Sequence, residues 1–341
     1  MVRLLLGRRY IINYLGDFIG LLQILQKLER MGMERLEDGK RYKESYHGFR
    51  AEITVEEAVQ SAPIRLPPPE PLHFPGGSLL QLREVSFRYK PSLPIIINNV
   101  SLDIGPRARI GFLGPNGCGK STLMNILAGQ LKPTNPKGEV RKGHQRLRIG
   151  YFSQHTVDQL DLGLSAIQLL MRNHPDVVIT EGEVRAHFAD TVGLSGNTVV
   201  LPLSALSGGQ RNRVALGLIT FARPHVLILD EITNHLDMGS VETLVDELTE
   251  GGEDERGWEG AVVVVSHDVW FLKRVVEGVG ANDESDDGED HFAEDERPGG
   301  VLYTVTKTGG LQLWDKGMDA YVDKIQRIAA KKGLLGSRSV K

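Results

Sequence analysis

Eight consecutive residues constrain this chain more than any other feature. They fit the pattern G-x-x-x-x-G-K-[ST] and are Gly114, Pro115, Asn116, Gly117, Cys118, Gly119, Lys120 and Ser121. The apolar run before them, residues 109–113, is typical of a buried strand, and a helix is predicted to begin near Lys120. Glycines let such a loop curl with its N–H groups facing inward, and the helix N-terminus adds a positive end. The pattern therefore predicts an α/β fold with a phosphate-binding loop. A chance match in a glycine-rich loop is the alternative, and the flanking strand and helix argue against it.

Three consecutive residues at the end of this loop and the start of the helix have predicted roles. Lys120 is expected to reach the β- and γ-phosphates of a nucleoside triphosphate, and the Ser121 hydroxyl is expected to bind Mg²⁺. Thr122, the next residue of the helix, is counted with them as nucleotide-binding.

A second apolar run, residues 226–229, ends in the adjacent carboxylates of Asp230 and Glu231. Because burying charge is costly, a buried strand that ends in two acids needs a compensating partner. A magnesium ion held by Asp230, directly or through water, provides one. Glu231 is then placed to polarise the attacking water as a general base. The alternative is a strand end that simply reaches solvent, and the phosphate-binding loop upstream disfavours it.

A short glycine-containing loop precedes a long apolar helix. It follows Leu206 and consists of Ser207, Gly208, Gly209 and Gln210. Ser207 is a good N-cap, the glycines permit close approach of another molecule, and the helix N-terminus favours an anion. From these residues alone, an ordinary helix cap remains an alternative.

Composition divides the chain into five predicted stretches. Residues 1–60 are predicted to be a helical N-terminal or linker segment, and residues 61–78 a proline- and glycine-rich spacer at a domain boundary. Residues 79–280 alternate strand and helix signals, which indicates a largely parallel sheet. Residues 281–300 are acidic with few apolar positions and are predicted to be a disordered loop. Residues 301–341 add a strand and a closing helix.

The N-terminal segment has one apolar helix face. Its residues are Ile11, Leu15, Phe18, Leu22 and Leu25. Packing against the next domain is the main interpretation, and a partner-binding helix is the alternative.

Individual elements follow from the same patterns. Alternation at Val85, Phe87 and Tyr89 predicts a strand. Further strands are predicted at 109–113, 147–152, 225–229, 261–265 and 301–306. Helices are predicted at 181–192, 208–222, 238–249, 268–276 and 318–331.

Composition disfavours some classes of function. The net charge of −4 does not favour a general nucleic-acid clamp, although a local basic face is compatible with it. The single cysteine, Cys118, cannot form an intrachain disulfide, which fits a reducing compartment. No apolar run approaches the ~20 residues of a membrane helix. We therefore expect a cytoplasmic location without direct membrane insertion.

In their order along residues 79–280, these motifs resemble those of ATP-binding cassettes. Residues 206–210 match the signature loop of that family letter for letter. The resemblance implies a P-loop NTPase cassette with a RecA-like core of mixed, largely parallel sheet, an antiparallel β edge and a helical subdomain.

The resemblance implies roles for four more residues. Tyr89 is expected to stack on adenine, and Gln154 to touch Mg²⁺ and the attacking water. Asp237 resembles the aspartate of the loop that couples two sites, and His267 the switch histidine that contacts the γ-phosphate. A packed strand tyrosine is the alternative for Tyr89, and a solvent-facing loop residue is the alternative for His267.

The residues after the acidic pair narrow the resemblance. Transport ATPases usually carry Ser-Ala-Leu-Asp there, whereas residues 234–237 read Asn-His-Leu-Asp, which is typical of soluble F-type cassette proteins. Residues 149–161 are similar to the second cassette of eukaryotic F-type proteins that act in translation control. The resemblance thus implies the ribosome and tRNA as partners.

Three features depart from the F-type pattern. Ile232 stands where the family usually has proline, which would stiffen the turn after Glu231. The acidic stretch is not a family motif. F-type proteins also carry two cassettes in one chain, and this sequence has one.

The predicted function is hydrolysis of ATP to ADP and phosphate, with ATP and Mg²⁺ bound. The catalytic residues are expected to be Glu231, His267 and Gln154, and the metal ligands Ser121, Gln154 and Asp230. In cassettes the ATP lies between two copies, so the resemblance implies a second cassette, either in a homodimer or on another chain. The alternatives are the ATPase subunit of a membrane transporter and a non-hydrolysing ATP-dependent scaffold.

Overall fold

The computed structural model describes residues 62–73, 76–249, 257–278 and 300–331, with the backbone alone at positions 154, 155 and 329–331. The predicted N-terminal helix with its apolar face, and residues 281–299 of the acidic loop, lie outside the described residues.

Strands in the described residues form two sheets. Their bounds are β1 Leu80–Phe87, β2 Ile97–Ile104, β3 Arg109–Leu113, β4 Glu139–Lys142, β5 Ile149–Phe152, β6 Val226–Asp230, β7 Ala261–Val265, β8 Val301–Val305 and β9 Leu311–Trp314. The larger sheet has the order β5-β6-β7-β3-β8-β9, and the smaller has the order β2-β1-β4. Neighbours from β5 to β8 run parallel, whereas β9 and the whole smaller sheet are antiparallel. This architecture confirms the predicted α/β fold with its antiparallel edge.

Helices connect and cover these strands. Their bounds are α1 Lys120–Leu127, α2 Gln154–Asp158, α3 Ala166–Asn173, α4 Glu181–Val192, α5 Gly208–Thr220, α6 Met238–Thr249, α7 Val269–Leu272 and α8 Gly317–Lys331. Capping boxes begin α3 at Ser165, α4 at Thr180 and α5 at Ser207. Each box satisfies backbone N–H groups that the first turn leaves open.

The larger sheet is covered on both faces. Strands β6 and β7 are buried at every position, which explains their continuous apolar sequences. Val262 and Val264 pack into the same apolar cluster as Phe188, whereas Val263 and Val265 pack into another. The carboxyl ends of the parallel strands therefore meet at one edge of a rigid core, which is where open α/β sheets bind ligands.

Two predicted elements end differently from the prediction. The strand predicted through Tyr89 ends at Phe87, and its pairing with β2 has register shifts on either side of Val85. The predicted helix 268–276 is a single α-turn, α7, followed by a π-helical turn at Lys273–Glu277.

Residues 62–70, which we call the proline-rich strap, contain neither helix nor strand, as their prolines predict. The strap is nevertheless packed against the core. Ile64 and Leu66 are buried, and the Trp258 Nε1 atom donates a hydrogen bond of 2.9 Å to the carbonyl oxygen of Pro67. Over residues 62–70, the predicted spacer is therefore a segment that packs against the core. The domain boundary placed at 61–78 stays a prediction.

Candidate functional site

The glycine-rich loop links the carboxyl end of β3 to α1. Gly114, Gly117 and Gly119 have φ values of 148°, 77° and 106°, which favour glycine. A Cβ atom on Gly119 would lie 2.9 Å from Cγ2 of Ile96, and one on Gly114 would lie 2.7 Å from the carbonyl oxygen of Val305. Both the backbone conformation and the neighbouring atoms therefore require glycine at these positions.

Lys120 closes this loop from the helix side. The residue is buried, and Nζ donates hydrogen bonds to the carbonyl oxygens of Gly114 at 2.8 Å and Pro115 at 3.3 Å. The ammonium group is thus held across the loop by neutral carbonyl acceptors. A phosphate oxygen at the same place would be a stronger acceptor, because its negative charge attracts the ammonium group more than a neutral carbonyl does.

A cleft of about 320 Å³ opens beside the loop. This volume is at the lower end of the range for small-molecule sites. The residues that line it are Ile96, Asn116, Gly117, Gly119, Lys120, Ser121, Thr122 and Glu231. The structure therefore brings Glu231 to the phosphate-binding loop, as the sequence predicts.

Glu231 is the first residue beyond β6 and has a left-handed backbone conformation, with φ at 57°. Its N–H donates to the carbonyl oxygen of Val265 at 2.8 Å, and Nδ2 of Asn234 donates to its Oε2 at 3.2 Å. Burial raises the pKa of the Glu231 carboxyl to about 7, Lys120 opposes the shift, and the charge of Asp230 adds to it. A carboxyl with a pKa near neutrality is suited to general-base chemistry at physiological pH.

His267 completes the group of ionisable residues at the cleft. Its Nε2 lies 3.2 Å from Oε1 of Glu231 and 3.0 Å from Oδ1 of Asn116. Burial, followed by the charge of Lys120, lowers the pKa of the imidazole, so the neutral form is favoured at pH 7. A neutral ring with a proton on Nε2 donates to one of the two oxygens, and a phosphate oxygen is an alternative acceptor.

The residues present fit a magnesium ion that is shared with phosphates. Asp230 is buried at the end of β6 and accepts a hydrogen bond of 3.4 Å from the Tyr151 hydroxyl, while Ser121 lines the cleft. A carboxylate and a hydroxyl are the hard oxygen donors that Mg²⁺ prefers. Within the described part of the chain, no cluster of three or more His, Cys, Asp or Glu residues is arranged to hold a metal. Phosphate oxygens would therefore have to supply part of the coordination.

The sequence of this chain is similar to a known protein family. The profile of the ABC transporter family matches residues 97–234. ABC transporter F family member 4 of Arabidopsis thaliana is 44% identical over 210 residues, which are 60% of this chain and 28% of the relative. ATP-binding cassette sub-family F member 3 of Homo sapiens is 41% identical over 60% of this chain and 28% of the relative. This chain thus spans less than a third of the length of these relatives.

The profile match identifies an ABC transporter family domain, called the cassette below, at residues 97–234. Solved structures share its P-loop NTPase fold. A bacterial ABC transporter cassette solved as a dimer has a TM-score of 0.50 at 23% identity, over 68% of this chain and 96% of its own. The cbiO1 protein from Clostridium perfringens, part of the ABC transporter complex cbiONQ, has a TM-score of 0.50 at 22% identity, over 76% of this chain and 95% of its own. Likeness at this level shows the fold alone.

None of the cassette helices that the structure describes is long and apolar enough to cross a bilayer.

Tyr89 lies at the outer rim of the cassette's nucleotide site. It follows the end of β1, is 55% exposed, and its hydroxyl lies 3.3 Å from Oγ1 of Thr122. Its ring meets Phe87 edge-on, with the ring centroids 5.0 Å apart. Tyr89 is thus neither within a strand nor buried, which is contrary to the alternative of a packed strand tyrosine, and its stacking on adenine stays a prediction.

The signature loop lies elsewhere on the cassette. Ser207 caps α5, with its Oγ accepting from Gln210 N at 3.2 Å, and Gly208 is exposed. None of these residues is among those that line the cleft. A Cβ atom on Gly209 would lie 4.0 Å from Oδ2 of Asp237, so the two predicted second-cassette contacts are neighbours.

Gln154 begins α2, directly after β5 and Ser153. Since β5 pairs with β6, this places its backbone at the same sheet edge as Asp230. Its contact with Mg²⁺ and water stays a prediction.

Cys118, the remaining residue of the phosphate-binding loop, is buried.

Sequence reasoning missed three residues that shape the site. Ile96 forms the apolar wall of the cleft, Tyr151 donates to Asp230, and Asn234 donates to Glu231. Asn234 carried a signal, because it is the first letter of the F-type Asn-His-Leu-Asp sequence. Ile96 carried none, since an isoleucine between a turn and a strand is unremarkable.

Proposed function

We propose that this chain hydrolyses ATP as one half of a two-cassette clamp of the F type. The observation that carries the proposal is the contact of Glu231 with His267 at the mouth of the loop that Lys120 closes. These three side chains supply a base, a neutral hydrogen-bond donor and a fixed positive charge. Each of these groups favours hydrolysis of a phosphoanhydride by an activated water.

Each residue has a defined task in this chemistry. The loop N–H groups and Lys120 hold the triphosphate, and the exposed ring of Tyr89 stacks on the base. Glu231, ionised above pH 7, accepts a proton from the attacking water, and Asn234 keeps its carboxylate oriented. His267 donates its Nε2 proton to the γ-phosphate as charge develops there. Mg²⁺, bound by Ser121, Asp230 and Gln154, would neutralise charge on the phosphates.

A second cassette is proposed because the signature loop does not reach its own cleft. Ser207 and Gly208 are exposed on another part of the molecule, at the positive end of α5. A helix N-terminus with free N–H groups favours an anion, so it suits the γ-phosphate bound by another copy. A bacterial ABC transporter cassette was solved as a dimer, which supports the same arrangement here.

The finer proposal is a cytoplasmic protein that acts in translation control, with the ribosome and tRNA as partners. It is supported by the Asn-His-Leu-Asp sequence at 234–237 and by the F-family relatives. The competing proposal is the ATPase subunit of a membrane transporter, since cbiO1 is part of such a complex. Co-sedimentation of the chain with ribosomes rather than with membrane vesicles, in the presence of ATP, separates the two.

Phosphate release tests the hydrolysis itself. We expect Mg-ATP turnover by the parent chain and a loss of at least a hundredfold in Glu231→Gln, because the amide cannot accept the proton. As a control, Asp176→Asn changes an exposed carboxylate that does not line the cleft, and it should retain parent activity. ATP binding without phosphate release by the parent would favour the scaffold alternative instead, and equal turnover by Glu231→Gln would remove Glu231 as the base.

A further inference from the structure

The proline-rich strap is fastened to two parts of the cassette. The Arg65 N–H donates to the carbonyl oxygen of Thr191 in α4 at 2.8 Å, and the Leu66 N–H donates to Oε1 of Glu247 in α6 at 2.9 Å. Side chains that donate to or contact its carbonyl oxygens are Trp258, Arg223 and His225. The strap thus spans the helical subdomain and the core.

Arg213, in the helix that follows the signature loop, lies beneath the start of the strap. It is 7% exposed, and its Nη1 donates to the carbonyl oxygens of Ala62 and Val192, both at 2.8 Å. Its Nε and Nη2 donate to Oγ of Ser240 at 3.1 Å and 2.6 Å. The planar guanidinium fork, with its five N–H donors, can serve acceptors on three elements at once.

Ser240 extends this link to Asp237. Ser240 is fully buried, and its Oγ donates to Oδ2 of Asp237 at 2.5 Å while its N–H donates to Oδ1 at 3.0 Å. The Asp237 carboxylate also neighbours Gly209 of the signature loop. The strap carbonyl at Ala62 is therefore joined to Asp237 by an unbroken chain of two side chains.

Gly193 makes room for the strap at the same point. It ends α4 in a left-handed conformation with φ at 65°. A Cβ atom there would collide with Ala62 and approach Nη1 of Arg213 to 3.2 Å. The close seating of Ala62 on Arg213 thus depends on the backbone of α4 as well as on the guanidinium.

We propose that Arg213 is a positioning residue that couples the strap to the Asp237 carboxylate through Ser240. The inference rests on the proposed two-cassette closure, since Asp237 and the signature loop are the parts expected to face the second copy. Displacement of the strap at Ala62 removes one acceptor of Arg213 and so disturbs the bonds that hold Asp237. Because coupling between sites is reciprocal, closure around Asp237 must equally change the strap.

The first test needs no nucleotide. Hydrogen–deuterium exchange at the Arg65 and Leu66 amides is measured in the parent, Asp237→Asn, Ser240→Ala and the double variant. Asparagine keeps an acceptor for the helix cap, and alanine keeps most of the buried volume. Asp237→Asn alone should speed exchange at these amides at least threefold relative to the parent. In a protein that already carries Ser240→Ala, the same substitution should have no effect, because the hydrogen bonds through Ser240 are gone.

The controls separate coupling from general loosening. Arg223→Ala opens the strap at Pro68 without touching Ser240, so the effect of Asp237→Asn should persist in it. Exchange at Val263, in the buried strand β7, reports global unfolding and should not change. An effect of Asp237→Asn that is equal with and without Ser240→Ala, or absent in both, overturns the proposal.

The second test uses ATP in the Glu231→Gln background, with dimer formation followed by light scattering. When Mg-ATP yields the dimer, the strap amides should exchange at least threefold more slowly, and Ser240→Ala should abolish that change while ATP still binds. A dimer without a change at the strap overturns the coupling. Absence of any dimer overturns pairing between two copies of this chain instead, and the nucleotide-free cycle then decides the coupling on its own.

Discussion

At the residue scale, Glu231 shows how the fold raises the pKa of the carboxyl that we propose as the general base. The carboxyl follows a fully buried strand, and the desolvation that raises its pKa also makes it a stronger proton acceptor once ionised. Asn234 and the His267 backbone oppose the shift by hydrogen bonding to the charged form. The result is a base that is poised near neutral pH.

This raised pKa predicts a pH-dependent stability in the absence of nucleotide. The folded pKa of about 7 lies above the ordinary 4.5, so the folded protein keeps a proton that the unfolded chain has already released. The raised pKa of Glu231 therefore adds to the free energy of unfolding. This contribution is fully present below pH 4.5 and is lost as the pH rises through 7. Relative to Glu231→Gln, the parent should lose about 2 kcal/mol of unfolding free energy between pH 5 and pH 8, measured in urea. Parallel pH profiles for the two proteins would contradict the assignment.

Lys120 leads to a second residue-scale prediction. Its ammonium is held by two loop carbonyl oxygens, which a triphosphate would replace with charged acceptors. Lys120→Ala should therefore weaken Mg-ATP binding about 10- to 100-fold, which corresponds to the ~1.5–3 kcal/mol of charge-assisted hydrogen bonds. Calorimetric titration measures the change, with the exposed Lys132→Ala as the matched control. Similar affinities for both variants would show that Lys120 does not contact the phosphates.

At the scale of elements, the turn after β6 depends on burial rather than on proline. Ile232 stands where the family usually has proline, and its side chain is fully buried in the core cluster. The turn is closed by a hydrogen bond from Asn234 N to the Glu231 carbonyl oxygen at 3.1 Å, and the Thr233 and Ser266 hydroxyls lie 3.0 Å apart. An apolar anchor thus holds the backbone that places Glu231.

This anchor predicts a graded response to truncation. Ile232→Ala should lower the unfolding free energy by about 2–5 kcal/mol and Ile232→Val by about 0.5–1.5 kcal/mol, because a larger cavity costs more. Phosphate release, measured where both variants remain folded, should fall more in Ile232→Ala, since the turn that aims Glu231 loosens. If Ile232→Ala kept both stability and turnover, the turn would have another source of rigidity.

Elements with long or complete apolar patterns were predictable from the sequence. Strands β3 and β7 and helices α4 and α6 lie at the predicted residues, because burial of whole faces leaves an unambiguous pattern. Strand β4 was missed because it is short and has a single apolar residue, Val140. Strands β2 and β9 were also missed, although both contain apolar residues. Helix α3 was also missed, although Ser165 and Gln168 give a capping-box signal that would have located its start.

The site was predictable where backbone geometry forces the residue type. Gly114 and Gly119 are required by their φ values and neighbouring atoms, and they define the loop in any sequence that folds this way. Ile96 and Tyr151 contribute through positions that only the tertiary fold brings together. The same limit applies to the strap, where Ile64 and Leu66 stand among prolines that indicate a spacer.

At the scale of the whole molecule, the proposed clamp rests on the separation of the cleft from the signature loop. The cleft holds the phosphate loop, Glu231 and His267, and the signature loop lies outside it. A second copy related by a twofold axis would place each signature loop over the partner's cleft, because a twofold interface uses the same two patches on both subunits. Expulsion of water between the copies would strengthen the charge interactions that hold the phosphates.

This arrangement predicts that activity belongs to pairs of chains. Phosphate release per chain should rise with protein concentration and reach a plateau, since the fraction of paired chains follows mass action. Lys120→Ala removes the phosphate contact of one half-site, and Ser207→Arg blocks the signature loop of the other, so each variant alone should be inactive. An equal mixture should recover about a quarter of parent activity, because half of the dimers are mixed and each has one intact composite site. Constant specific activity at all concentrations together with no recovery in the mixture would mean that the cleft of a single chain is sufficient.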